Sequence, residues 1–135
     1  MVRVLIVDDF NRLQEAVVRG QVHCPAPIDI VAEAHCGRTA IVLAQVYSYD
    51  VVVLPAALPD LSGVEVLQQI KTRRASVGVL VCGADSTEAA LAAYRAGADG
   101  YFPQSREPQE LVMDISDVAA GQRYFPTVTL PMVPP

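Results

Sequence analysis

The sequence contains no Cys-x-x-Cys and no cysteine–histidine spacing of the kind that holds structural zinc, which excludes a zinc-stapled module. Its three cysteines, Cys24, Cys36 and Cys82, form an odd and widely spaced set. No disulfide framework is expected, and reduced thiols in a cytoplasm are the simplest reading. Long hydrophobic runs are missing as well. The first apolar stretch, residues 2–7, stops at Asp8, far short of the roughly 20 residues of a membrane span. It also lacks the length and small-residue exit of a secretory leader. Charge is scarce, at 19% of residues, and leans acidic, with a formal net charge of −5. An acidic surface repels phosphate backbones, so nucleic acid is not an expected partner of this segment. A soluble, cytoplasmic chain is expected, without a membrane contact.

What is present suits one globular domain. The chain has 135 residues, 52% of them apolar, enough for one core and too few for two. Val2-Arg3-Val4-Leu5-Ile6-Val7 reads as a buried strand with a polar exit at Asp8-Asp9. Asn11 can cap a helix whose inward positions are Leu13, Ala16, Val17 and Gly20. Ile28, Ile30, Ala32 and Ala34 then alternate with other residues, as on an edge strand. A helix over residues 38–46 turns Ala40, Leu43 and Ala44 inward, and Val51-Val52-Val53-Leu54 is a strand buried on both faces and ended by Pro55. The turn residues Pro59, Asp60, Ser62 and Gly63 lead to a helix over residues 64–74. A strand over 77–82, a helix capped by Ser86 and stopped at Gly97, a strand over 99–102 and a helix opened by Pro108 and closed by Gly121 complete the pattern. Five strands alternating with five helices call for a doubly wound parallel α/β sheet. Such a sheet carries its functional groups at the carboxyl ends of its strands.

Three motifs make the pattern specific: Val4-Leu5-Ile6-Val7-Asp8-Asp9, Leu58-Pro59-Asp60-Leu61-Ser62-Gly63 and Ala96-Gly97-Ala98-Asp99-Gly100-Tyr101. In this order and spacing the chain resembles the receiver domain of two-component response regulators, most closely those with a C-terminal helix-turn-helix. The resemblance implies a flavodoxin-like fold with strand order 2-1-3-4-5. It implies a receiver-like domain over residues 1–123, and a proline-rich tail or truncated linker over 124–135. It also implies a chemistry that needs a phospho-accepting aspartate, an acidic pair for Mg²⁺, a hydroxyl and a lysine. Asp8 and Asp9 match the acidic pair, and Tyr101 matches the family's switch aromatic. The acceptor position, four residues before Pro59, is Pro55; the hydroxyl position is Cys82; the lysine position is Gln104.

Each replacement removes something the chemistry requires. Proline has no side-chain oxygen to take a phosphoryl group or ligate a metal. A thiol is a weak donor, and glutamine carries no charge to offset a dianion. Asp8 and Asp9 alone leave at most a weak Mg²⁺ site, and no cofactor is expected. Their simpler role is negative charge near the start of the first helix. Cys82 reads as buried filler, its thiolate disfavoured by nearby carboxylates, while Asp60 and Ser62 read as turn formers. His23 and His35 are isolated. No glycine-rich phosphate loop follows the first strand and no nucleophile–base pair is evident, which argues against an enzyme.

The expected function is therefore that of an atypical receiver working without aspartyl phosphorylation. It would act by contact with a protein partner or as a homodimer, within a transcription regulator. The faces of the first, fourth or fifth helix are the candidate contacts, with Val112 and Met113 as extra apolar residues on the last. The alternative is a small-molecule sensor using the vacated phosphorylation pocket.

Overall fold

Uninterrupted β-branched runs such as Val51–Leu54 leave no polar face for water, so they fold as strands covered on both sides. The computed structural model, which describes residues 1–8, 12–23 and 27–123, places them in that way. The elements are β1 (Val2–Val7), α1 (Arg12–His23), β2 (Ile28–Ala34), α2 (Gly37–Val46), β3 (Val51–Pro55), α3 (Gly63–Arg73), β4 (Gly78–Gly83), α4 (Thr87–Arg95), β5 (Gly100–Pro103) and α5 (Pro108–Ala119). The five strands form one parallel sheet in the order β2-β1-β3-β4-β5, the flavodoxin-like topology expected from the sequence. The expected cap at Asn11 and the tail over 124–135 lie outside the described residues, as does Cys24. Among the described residues, no helix is long and apolar enough to cross a membrane.

The pleat divides each central strand between two cores. Leu5, Val7, Val52, Leu54, Val79 and Val81 face α2, α3 and α4, packing with Ala40, Leu67, Ile70 and Ala93. Val4, Ile6, Val51, Val53 and Leu80 face α1 and α5, packing with Val17, Leu111, Ile115 and Val118. Helix ends follow local chemistry. Ser62 Oγ accepts from Glu65 N–H and Ser86 Oγ from Ala89 N–H, while Pro108 opens α5 where its missing N–H is not needed. Gly97 and Gly121 close α4 and α5 at φ 102° and 90°, in the left-handed region that glycine enters without strain.

Two expectations are corrected. The alternation read across β2 does not put Ile28, Ile30, Ala32 and Ala34 on one face. The register slips between Val4 and Leu5, so that Val4 pairs with Ile30 but Leu5 with Ala32. That bulge at Val31 sends Ile28 and Ile30 to one core and Ala32 and Ala34 to the other. Val112 is not a surface residue either. It is fully buried, because α1 crosses α5 closely at Gly20; only Met113 stays exposed.

Candidate functional site

The strand order reverses between β1 and β3, and the crevice there is where such sheets place ligands. Asp8 follows β1 on one side of it and Pro55 ends β3 on the other. Pro55 pairs with Cys82 across the next ladder, and Cys82 pairs with Phe102. A proline is tolerated in this central strand because pairing of β3 with β1 ends at Val53. The N–H it lacks would point to that side, while Ala56 N–H resumes the ladder to Cys82 O at 2.8 Å.

Asp8 is buried, and its Oδ2 accepts a hydrogen bond from Leu13 N–H in the first turn of α1. Its carbonyl accepts from His35 Nδ1 at 2.7 Å, which gives that isolated histidine a structural partner. Asp9, its expected companion, lies outside the described residues. Cys82 is buried beside two carboxylates. Burial first, then Asp114 and Asp8, push its thiol well above the ordinary range, so it stays protonated at neutral pH. Gln104 is exposed on the rim, where its backbone N–H donates to Gly83 O at 2.8 Å.

Tyr101 is fully buried, and its hydroxyl donates to Ala84 O at 2.7 Å. Burial, then Cys82 and Asp85, raise this phenol to about 12. Glycine at position 83 makes the inward orientation fit: a Cβ there would meet the Tyr101 hydroxyl at 2.6 Å. In the neighbouring loop Asp60 and Ser62 do more than turn the chain. Asp60 accepts from Gly37 N–H at 2.7 Å and Arg38 N–H at 3.0 Å, tying the loop to the start of α2. Those bonds hold its carboxyl below the usual range, with the Arg38 contribution the largest.

One buried acid beside the site belongs to none of the three motifs. Asp114 is 3% exposed, among Leu111, Ile115 and Val118 on the inner stripe of α5. Arg106, from the loop before α5, donates to it at 2.7 Å, also pairs with Glu110, and lies over the Phe102 ring at 5.1 Å. Burial raises Asp114 to about 6 against the opposing pull of Arg106. An acid in the i+3 place of an otherwise apolar helical stripe was the available signal.

A cavity of about 740 Å³ opens at these strand ends, and its lining includes Asp8, Arg12, Leu13, Pro55, Cys82, Phe102, Gln104 and Arg106. The described donors do not fit a Mg²⁺ ion. Asp8 commits one oxygen to α1, Pro55 offers none, and no cluster of three metal-ligating side chains occurs among the described residues.

Comparison with known proteins agrees with this fold. A family model described as the response regulator receiver domain matches residues 4–116. The response regulator UvrY of Escherichia coli K12 is 35% identical over 127 residues, which are 93% of this chain and 57% of UvrY. The nitrate/nitrite response regulator protein NarL of the same strain is 29% identical over 132 residues, 96% of this chain and 60% of NarL. The chain thus spans less than two thirds of the length of these relatives. A LuxR-family two-component response regulator from Aurantimonas sp. SI85-9A1 superposes with a TM-score of 0.82 at 30% identity, covering 92% of this chain and 89% of that one.

Proposed function

The chain belongs to the response regulator receiver domain family, and from that premise we propose that it is an atypical member that signals without aspartyl phosphorylation. The observation that carries this reading is Pro55 at the carboxyl end of β3, between Asp8 and Cys82, where a phosphoryl acceptor would stand. The altered set extends to Cys82, whose protonated thiol replaces a hydroxyl, and to Gln104, which brings no charge to the rim. Asp8 and Asp9 remain as the residual acidic pair. Tyr101 is held inward by its bond to Ala84 O and by the space at Gly83.

On this reading residues 1–123 are a non-catalytic receiver-like domain and 124–135 a tail or linker. The domain acts within a transcription regulator by contact with a protein partner or a second copy, through the faces of α1, α4 or α5. Exposed Val18 and Val22 on α1 and Met113 on α5 support a contact on that side. The chain incubated with acetyl phosphate and Mg²⁺ is expected to show no phosphoryl adduct by intact-mass measurement. A stoichiometric adduct would sink the reading. A second reading, a small-molecule sensor, is favoured by the cavity beside Pro55.

A further inference from the structure

The outer side of α2 and α3 carries an exposed patch that neither core uses. α2 turns Ala40 and Ala44 inward and leaves Val42, Val46 and the following Tyr47 outside, with Val46 at 70% exposure. None of the chain's 15 acidic residues falls between Glu33 and Asp50, so this apolar row has no carboxylate within its own element. Asp50 itself is engaged, its Oδ2 accepting from Arg3 N–H at 2.8 Å. α3 packs beside α2 and brings bases to the same end. Lys71 is taken up by Asp99 at 2.8 Å. Arg74 donates to Tyr47 O at 3.0 Å and to Gln45 O at 3.3 Å, and lies over the Tyr49 ring at 5.3 Å. It thus satisfies the last carbonyls of α2, while its charge meets no carboxylate among the described residues. Arg73 is exposed and makes no ion pair with a described residue.

We propose that this patch docks an amphipathic segment of a partner protein, apolar along one side and acidic where it meets Arg73 and Arg74. The segment's apolar side chains cover Val42, Val46 and Tyr47 and remove them from water. Its carboxylates face the two guanidiniums, whose planar forks match them. Charge decides between the occupants. A second copy related by a twofold axis brings the same patch, and hence no carboxylate from α2. A nucleic acid needs many phosphate contacts, whereas here two arginines stand beside exposed valines on a chain of net charge −5. The inference gives a chemistry to the protein partner of the reading above, at a face separate from those of α1, α4 and α5. A phosphoryl adduct with acetyl phosphate would remove the phosphorylation-independent reading and leave the docking result standing.

A helical peptide of leucine and glutamate, with its leucines along one side, is labelled with a fluorophore and titrated with the full chain. Two counterparts replace glutamate by lysine or leucine by serine, and a labelled oligothymidylate stands for nucleic acid. The leucine–glutamate peptide is expected to bind saturably and about tenfold more tightly than the counterparts or the oligonucleotide. In the isotope-labelled chain it is expected to shift the amides of Val46, Tyr47 and Arg73. Arg73→Glu is expected to weaken binding about tenfold and Val46→Ser about fivefold. If either variant fails to fold, Arg73→Gln or Val42→Ser takes its place. No saturable binding, equal affinity for the lysine counterpart, or full affinity in the folded variants overturns the proposal. Amide shifts confined to the carboxyl ends of the strands overturn it as well. Tighter binding of the oligonucleotide would assign the patch to nucleic acid instead, and self-association that Val46→Ser removes would assign it to a second copy.

Discussion

Asp114 shows how one residue can set a pH dependence for the whole domain. Its carboxyl is raised by burial from 3.8 to about 6 in the fold. Between those two values the native state holds a proton that the unfolded chain has lost. Its contribution to stability is therefore full below the lower value and is lost as pH rises through about 6. Asp114→Asn is expected to flatten that part of the stability profile, measured by urea unfolding at about pH 4.5 and about pH 7. Arg106→Gln is expected to cost about 3 kcal/mol at about pH 8, where it leaves a buried carboxylate unpaired. It should cost less at about pH 5, where Asp114 is protonated; an equal loss at both would show that the ion pair is not the cause. The site was only partly legible for the same reason. Asp8, Pro55, Cys82 and Gln104 sit at strand ends or just past them, which sequence order locates. Asp114 meets Arg106 across the start of α5, and no local pattern specifies that reach.

Among the elements, those with a single strong period were the readable ones. The central strands and the stripes Leu67–Ile70 and Leu111–Ile115–Val118 follow from apolar spacing, because burial on both sides leaves little choice of face. β2 was misread in its faces because a bulge is one extra residue, and an edge strand half-covered on both sides tolerates either register. Val112 was misread because its burial depends on how closely α1 approaches. Gly20 controls that approach: a Cβ there would lie 2.4 Å from Pro108 O and 2.7 Å from Val112 Cγ2. The Val112 methyl could rotate away, but the backbone oxygen cannot, so the helices must separate. Gly20→Ala gains about 1 kcal/mol of helix propensity against an overpacking cost at the upper end of about 1–3 kcal/mol. A net loss of about 2 kcal/mol is expected, read as a lower urea midpoint with an unchanged slope. A gain in stability would mean that the two helices are not held at this distance.

At the scale of the whole molecule, charge and apolar surface act in opposite directions on self-association. Each chain carries a formal net charge of −5, so two copies repel at long range. The packed pair α1 and α5 nevertheless leaves Val18 and Val22 at 54% and 75% exposure and Met113 at 51%. A dimer built on such side chains gains from their burial, while the net repulsion is screened over about 10 Å at 0.1 M salt. Association is therefore expected to strengthen as salt rises, the opposite of a contact held by surface ion pairs. Sedimentation equilibrium at about 0.05 M and about 0.5 M salt checks this. Val22→Glu, exposed and clear of both cores, is expected to abolish any such association at either salt while lowering stability by no more than about 0.5 kcal/mol. A chain that stays monomeric at high salt would exclude the homodimer and leave a different protein as the partner of this face. Association that weakens with salt would place the contact on the charged helix faces instead of the apolar residues of α1 and α5.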